Sequence, residues 1–158
     1  AVARLLGQAA APNLAVGRTT TAGAVIFDSG DEMLLLDEKG LPRRIVVADH
    51  AGTFNDYERP FDKFVAAYAR PVLARSRKVP DVKTFSAAYL TAFAERLTDM
   101  QNEYRQKRRA FDTLFQHSKQ GERTFAWRWA KVLARLEKTD VAALTEQIRA
   151  FIAAEVKA

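Results

Sequence analysis

The apolar positions of this chain change their spacing twice, and each change marks a change of architecture. From residue 83 to residue 116, Phe85, Tyr89, Phe93, Leu97, Met100, Tyr104, Phe111, Leu114 and Phe115 recur along one helical stripe. A helix of that length is roughly 50 Å long. This is longer than a compact chain of 158 residues ordinarily needs, so part of the stripe is expected to meet another chain.

Flanking segments carry the same spacing. Phe61, Phe64, Val65, Tyr68 and Val72 follow Pro60, which suits a first helical position. Pro71 is expected to end or kink that helix near Ala69, because it lacks an N–H and clashes with the preceding turn. Beyond Gly121 a helix is predicted over 122–138, with Phe125, Trp129, Val132, Leu133 and Leu136 at its core positions. Its charge order, Glu122 early and Arg135 and Lys138 late, complements the helix dipole. Thr139 and Asp140 offer an N-cap for a last helix with the stripe Val141, Leu144, Ile148, Phe151 and Ile152. The short links predict that these three C-terminal helices pack as antiparallel neighbours.

Upstream, the pattern breaks into short apolar bursts separated by Asp and Gly. Val25 to Phe27, Met33 to Leu36 and Ile45 to Val47 are divided by Asp28-Ser29-Gly30-Asp31 and Asp37-Glu38-Lys39-Gly40. These read as two or three strands joined by hairpin turns, which need a helix or a neighbouring subunit to lie on. Residues 1–22 predict at most a short helix through Val2 to Ala11, followed by an extended tail. The fold class is therefore mainly α with a minor β part. A helical hairpin or bundle with one long amphipathic helix (59–158) follows an extended basic or transit-like arm (1–22) and a small antiparallel β-meander with its loop (23–58).

Charge sharpens this division. Residues 1–27 hold Arg4 and Arg18 and no acid; residues 28–58 hold eight acids against three bases; residues 59–158 hold 20 bases against 11 acids. An acidic front thus precedes a basic body that favours anionic partners. The acid-free start, without an initiator Met, has the composition of an organellar transit region. There is no cysteine, which excludes disulfides and thiolate chemistry, and no apolar run long enough to span a bilayer.

Candidate catalytic motifs fail on their surroundings. Asp28 at the end of Val25-Ile26-Phe27 resembles the nucleophile position of haloacid dehalogenase phosphatases, but Gly30 stands where that chemistry needs a second Asp. No Glu-rich box of the Nudix kind follows, and the acids at 28, 31, 32, 37 and 38 lack the spacing of a calcium loop. His50 beside Asp49 has no nucleophile, and His117 suits a helix C-terminus. No enzyme activity, cofactor or metal is expected.

Two constellations suit interfaces instead. Arg105, Lys107, Arg108 and Arg109 could grip phosphate. Arg108 falls on the apolar stripe between Tyr104 and Phe111, where it is expected to reach a carboxylate or phosphate at an interface. Trp127 shares a helix face with Arg123, Lys131 and Arg135, a setting that suits a lipid headgroup layer, a nucleic-acid backbone or a protein groove. The expected function is a non-catalytic accessory subunit of a large mitochondrial complex. The energy-transducing assemblies of the inner membrane, ATP synthase or the respiratory chain, are the leading expectation, placing the chain on the matrix side or at the membrane periphery. Its partners would be other protein subunits and anionic lipid headgroups. The alternative is a mitochondrial ribosomal or other nucleic-acid-binding protein, or a bacterial cytoplasmic one, contacting RNA or DNA phosphates through its basic helices.

Overall fold

A computed structural model of the chain describes residues 1–16, 32–47, 64–116 and 125–157. Within them the order is helix α1 (Val2–Val16), strands β1 (Glu32–Leu36) and β2 (Pro42–Val47), then helices α2 (Val65–Leu73), α3 (Val82–Gln116), α4 (Phe125–Lys138) and α5 (Val141–Lys157). The protein is mainly α with a minor antiparallel β part. The Val25–Phe27 burst, the Asp28 loop, Asp49, His50, Pro60, Phe61, His117, Gly121 and Arg123 lie outside the described residues.

Local chemistry sets the long helix as the periodicity predicts. Asp81 caps its start: Oδ1 accepts from the Lys83 and Thr84 N–H groups, both at 3.0 Å, and Oδ2 accepts from the Thr84 hydroxyl at 2.6 Å. These bonds to the charged form hold the Asp81 carboxyl below its ordinary value, the Thr84 hydroxyl contributing most. Asp140 likewise caps the start of α5, accepting from the Ala143 N–H at 2.9 Å. The two breakers in helices are tolerated for a reason. Pro12 falls inside α1 where the carbonyl it leaves unbonded belongs to exposed Gln8. Pro71 sits in the last turn of α2, which runs on to Leu73 instead of ending near Ala69.

The N-terminus departs from expectation. The helix expected through Val2 to Ala11 is present but runs on to Val16, and α1 lies along α3 as that helix's most extensive neighbour, where the sequence pattern predicts that the segment continues as an extended arm. Ala3, Leu6, Ala10 and Ala11 are buried in the main core. The crossing is close because Gly7 faces the α3 backbone: a Cβ at residue 7 would lie 2.2 Å from the Tyr89 carbonyl oxygen and 2.9 Å from the Phe93 nitrogen. At the edge of this contact Arg4 pairs with Glu95 at 2.7 Å.

The core is aromatic at its centre. Phe93 sits 5.2 Å from the Tyr68 ring and 6.4 Å from the Tyr89 ring, centroid to centroid. The Tyr89 hydroxyl donates to the Tyr68 carbonyl at 2.7 Å, joining α3 to α2 in the interior. Leu144, Ile148 and Ile152 bring α5 into the same core. The main neighbours of α5 are α2 and α3, rather than α4. The turn that redirects the chain is held by buried Gln101 of α3, whose amide donates to the carbonyls of Leu136 and Thr139, both at 2.8 Å. The Leu136 carbonyl in the last turn of α4, which also accepts from the Thr139 N–H at 3.3 Å, and the Thr139 carbonyl just past the helix thus share a donor on another helix.

Candidate interaction site

The hairpin is the first surface that the chain leaves unfinished. Its turn is built by Asp37, whose side chain accepts from the N–H groups of Lys39 and Leu41 at 2.9 and 2.8 Å. Gly40 takes the left-handed conformation the turn requires, with φ 72°. The ladder pairs Glu32 with Val47, Met33 with Val46, Leu34 with Ile45 and Leu35 with Arg44, then shifts between Leu35 and Leu36. Among the described residues, α1 is the helix that approaches β2. At the hairpin's outer end Leu35, Leu36 and Leu41 remain 46%, 55% and 57% exposed.

The second surface is the far part of α3. Tyr104 is its last buried residue with a described side chain, and residues 105–110 are all exposed. Arg105, Lys107, Arg108 and Arg109 therefore share one solvent-facing segment, as the sequence suggests. Their charges are partly matched within the chain. Lys107 pairs with Glu103 at 2.7 Å, and this holds the Glu103 carboxyl below its ordinary value. Arg105 approaches the Asn102 side-chain oxygen at 3.5 Å.

Arg108 needs correction. It is not enclosed on an apolar stripe: its side chain is exposed, and the carboxylate it reaches is Glu137 of α4 at 3.0 Å. Four residues beyond Tyr104 the Arg108 position faces solvent, so the desolvation argument has no buried charge to act on. Arg135 also has a use inside the fold. Its guanidinium stands 5.5 Å over the Phe64 ring. The Tyr68 hydroxyl, raised well above its ordinary pKa by burial, is pulled partly back by the same charge. Lys131 is half-buried on α4, Trp127 belongs to the same helix, and Arg123 precedes it outside the described residues.

Sequence reasoning overlooked a third basic cluster. Arg75, Arg77 and Lys78 crowd the connection between α2 and α3, with Lys83 in the first turn of α3. The signal was available as four cations within nine residues against one acid, Asp81. The described residues hold no group of three His, Cys, Asp or Glu side chains placed to bind a metal ion. No helix among them is long and apolar enough to cross a membrane. The chain matches no protein-family profile, no curated protein and no solved structure.

Proposed function

We propose that this chain is a non-catalytic structural subunit of a larger protein assembly, held in place through its hairpin and the exposed segment of α3. The observation that carries the reading is the leucine tip of the hairpin. A two-stranded ribbon is marginal by itself, and three half-exposed leucines at its end are a surface suited to a neighbouring chain. In its specific form the proposal is an accessory subunit of a mitochondrial energy-transducing complex at the inner membrane, a choice that rests on the basic balance of the chain. Binding to RNA is the weaker reading, since Lys107 and Arg108 already face Glu103 and Glu137. A polyanion would have to compete with those carboxylates.

The test is recovery of the tagged full chain from its own cells, with and without nuclease, beside a variant carrying Leu35→Ser, Leu36→Ser and Leu41→Ser. The proposal expects a fixed set of proteins, respiratory or ATP synthase subunits in its specific form, that resists nuclease and is lost in the triple variant. Since the three leucines are exposed, the variant should melt as wild type does. Recovery of ribosomal proteins that nuclease abolishes, or co-purification unaffected by the triple substitution, would overturn it.

A further inference from the structure

The connection between α2 and α3 is fixed as an elbow by hydrogen bonds of its own. The N–H groups of Ala74, Arg75 and Ser76 donate to the carbonyls of Arg70, Val72 and Leu73, and those of Lys78 and Val79 both donate to the Arg75 carbonyl, at 2.8 to 3.1 Å. The Ser76 hydroxyl turns inward to the Leu73 carbonyl at 2.8 Å, and the Arg75 guanidinium folds back on the Pro71 carbonyl at 3.0 Å. On this backbone Arg77 and Lys78 are both exposed. Exposed Lys83, in the first turn of α3, adds a third cation at the same end of the molecule.

These charges are unmatched where those of the far part of α3 are not. Lys107 and Arg108 pair with Glu103 and Glu137, whereas among the described residues no carboxylate pairs with Arg77, Lys78 or Lys83. The acids at this end are few. Asp81 is held to the helix start by the Lys83 and Thr84 N–H groups and the Thr84 hydroxyl, Glu155 is exposed near the end of α5, and Glu146 is paired with Arg149 farther back on that helix. Counted with Arg75, four cations of the elbow therefore stand against Asp81 and Glu155. Like charges held side by side repel, so the approach of an anionic surface is favoured. The neighbouring apolar residues narrow the kind of surface. Val79 and Val82 are half-buried, and Val156, which lines the same gap between α3 and α5 as Val82, is 39% exposed. Residues 74–83 include no aromatic ring on which a base could stack. Short aliphatic side chains among flexible cations suit the boundary between lipid headgroups and acyl chains, where the cations reach phosphate while the valines meet hydrocarbon. We propose that this elbow is a contact surface for a bilayer carrying anionic phospholipid, with Arg77, Lys78 and Lys83 among the headgroup phosphates. The contact goes beyond the role of the hairpin and stands or falls separately from it.

The experiment measures co-sedimentation of the full chain with vesicles of phosphatidylglycerol in phosphatidylcholine, at low and at physiological ionic strength, beside vesicles of phosphatidylcholine alone. Binding is expected to the anionic vesicles only, and it should weaken as salt screens the charges. A cation close to such a surface is worth roughly fivefold in binding, so Arg77→Gln with Lys78→Gln and Lys83→Gln should weaken it about a hundredfold. Removing three charges from the rival basic surface, in Arg105→Gln with Lys107→Gln and Arg109→Gln, should weaken it less than about fivefold. All six side chains are exposed, so both variants should melt as wild type does. Equal losses in the two variants would show that net charge alone attracts the chain and would overturn the proposal, as would equal binding to neutral vesicles or none to anionic ones. So would saturable binding of a random-sequence DNA duplex through the elbow cations when vesicles do not bind, which would assign the surface to a nucleic-acid backbone.

Discussion

Replacing Gly7 by Ala should destabilise the protein although alanine is the better helix former. In an exposed helical site this change is worth about 0.5–1 kcal/mol in favour of alanine. At residue 7 the new methyl would stand 2.2 Å from the Tyr89 carbonyl oxygen, 2.9 Å from the Phe93 nitrogen and 3.1 Å from the Tyr89 carbonyl carbon. All three atoms belong to the backbone of α3, so no side-chain rotation relieves the clash. To restore ordinary contact α1 must retreat from α3 by about 1 Å, which loosens Ala3, Leu6 and Ala10 against the same helix. Overpacking of this kind costs roughly 1–3 kcal/mol, and a clash with rigid backbone belongs at the upper end of that range. After the helix-propensity gain the net loss is about 2 kcal/mol, or roughly 4–8 °C in Tm for a chain of this size. Urea unfolding followed by circular dichroism measures it, with Gln8→Ala as the control: residue 8 is exposed on the same helix, and its change should stay within about 0.5 kcal/mol. A Gly7→Ala protein as stable as wild type, or more so, would show that α1 does not rest on the α3 backbone.

Other consequences concern buried polar groups and the helix caps. The Tyr68 hydroxyl is buried with no hydrogen-bond partner among the described residues, so Tyr68→Phe should be neutral or stabilising by up to about 1 kcal/mol in the same unfolding assay; a loss above that would reveal a partner. Gln101→Leu removes the donor shared by the Leu136 and Thr139 carbonyls and should cost about 2 kcal/mol, with fast amide exchange appearing first where α4 meets α5. The carboxyls of Asp81 and Glu103 are depressed in the folded protein. Their stabilising contribution is therefore complete above the unfolded carboxylate pKa, about 4, and is lost as pH falls through the lower folded values. Melting temperature should fall below about pH 4, and Asp81→Asn should flatten part of that slope; an unchanged slope would remove Asp81 from the account.

Much of the helical body was legible because its determinants are local. The stripe from Phe85 to Tyr104, the Asp140 cap, the apolar series Leu144, Ile148 and Ile152, and the Asp37 to Gly40 turn each lie within one segment, where spacing and side-chain chemistry act without help from the rest of the chain. The first sixteen residues were not legible in the same way. A stretch of alanine, glycine and three leucines reads as a weakly patterned arm, because small residues give little periodic signal. Their importance comes from what they allow, the approach of another backbone, and only the position of Tyr89 and Phe93 makes Gly7 necessary. The interaction surfaces divide likewise. The sequence placed four cations together at 105–109, and they do share an exposed segment. That Arg108 reaches Glu137 was decided by the crossing of α3 and α4, and that Arg135 lies over Phe64 by a contact 71 residues apart in the chain. An apolar groove between the start of α3 and the end of α5 has no sequence signature either: Ala87 and Ala153, which line it, are ordinary alanines until two helices bring them to one gap. Local order was determined by the sequence through short-range hydrogen bonds and periodicity; which charges are matched and which apolar surfaces stay open was decided by how the helices cross.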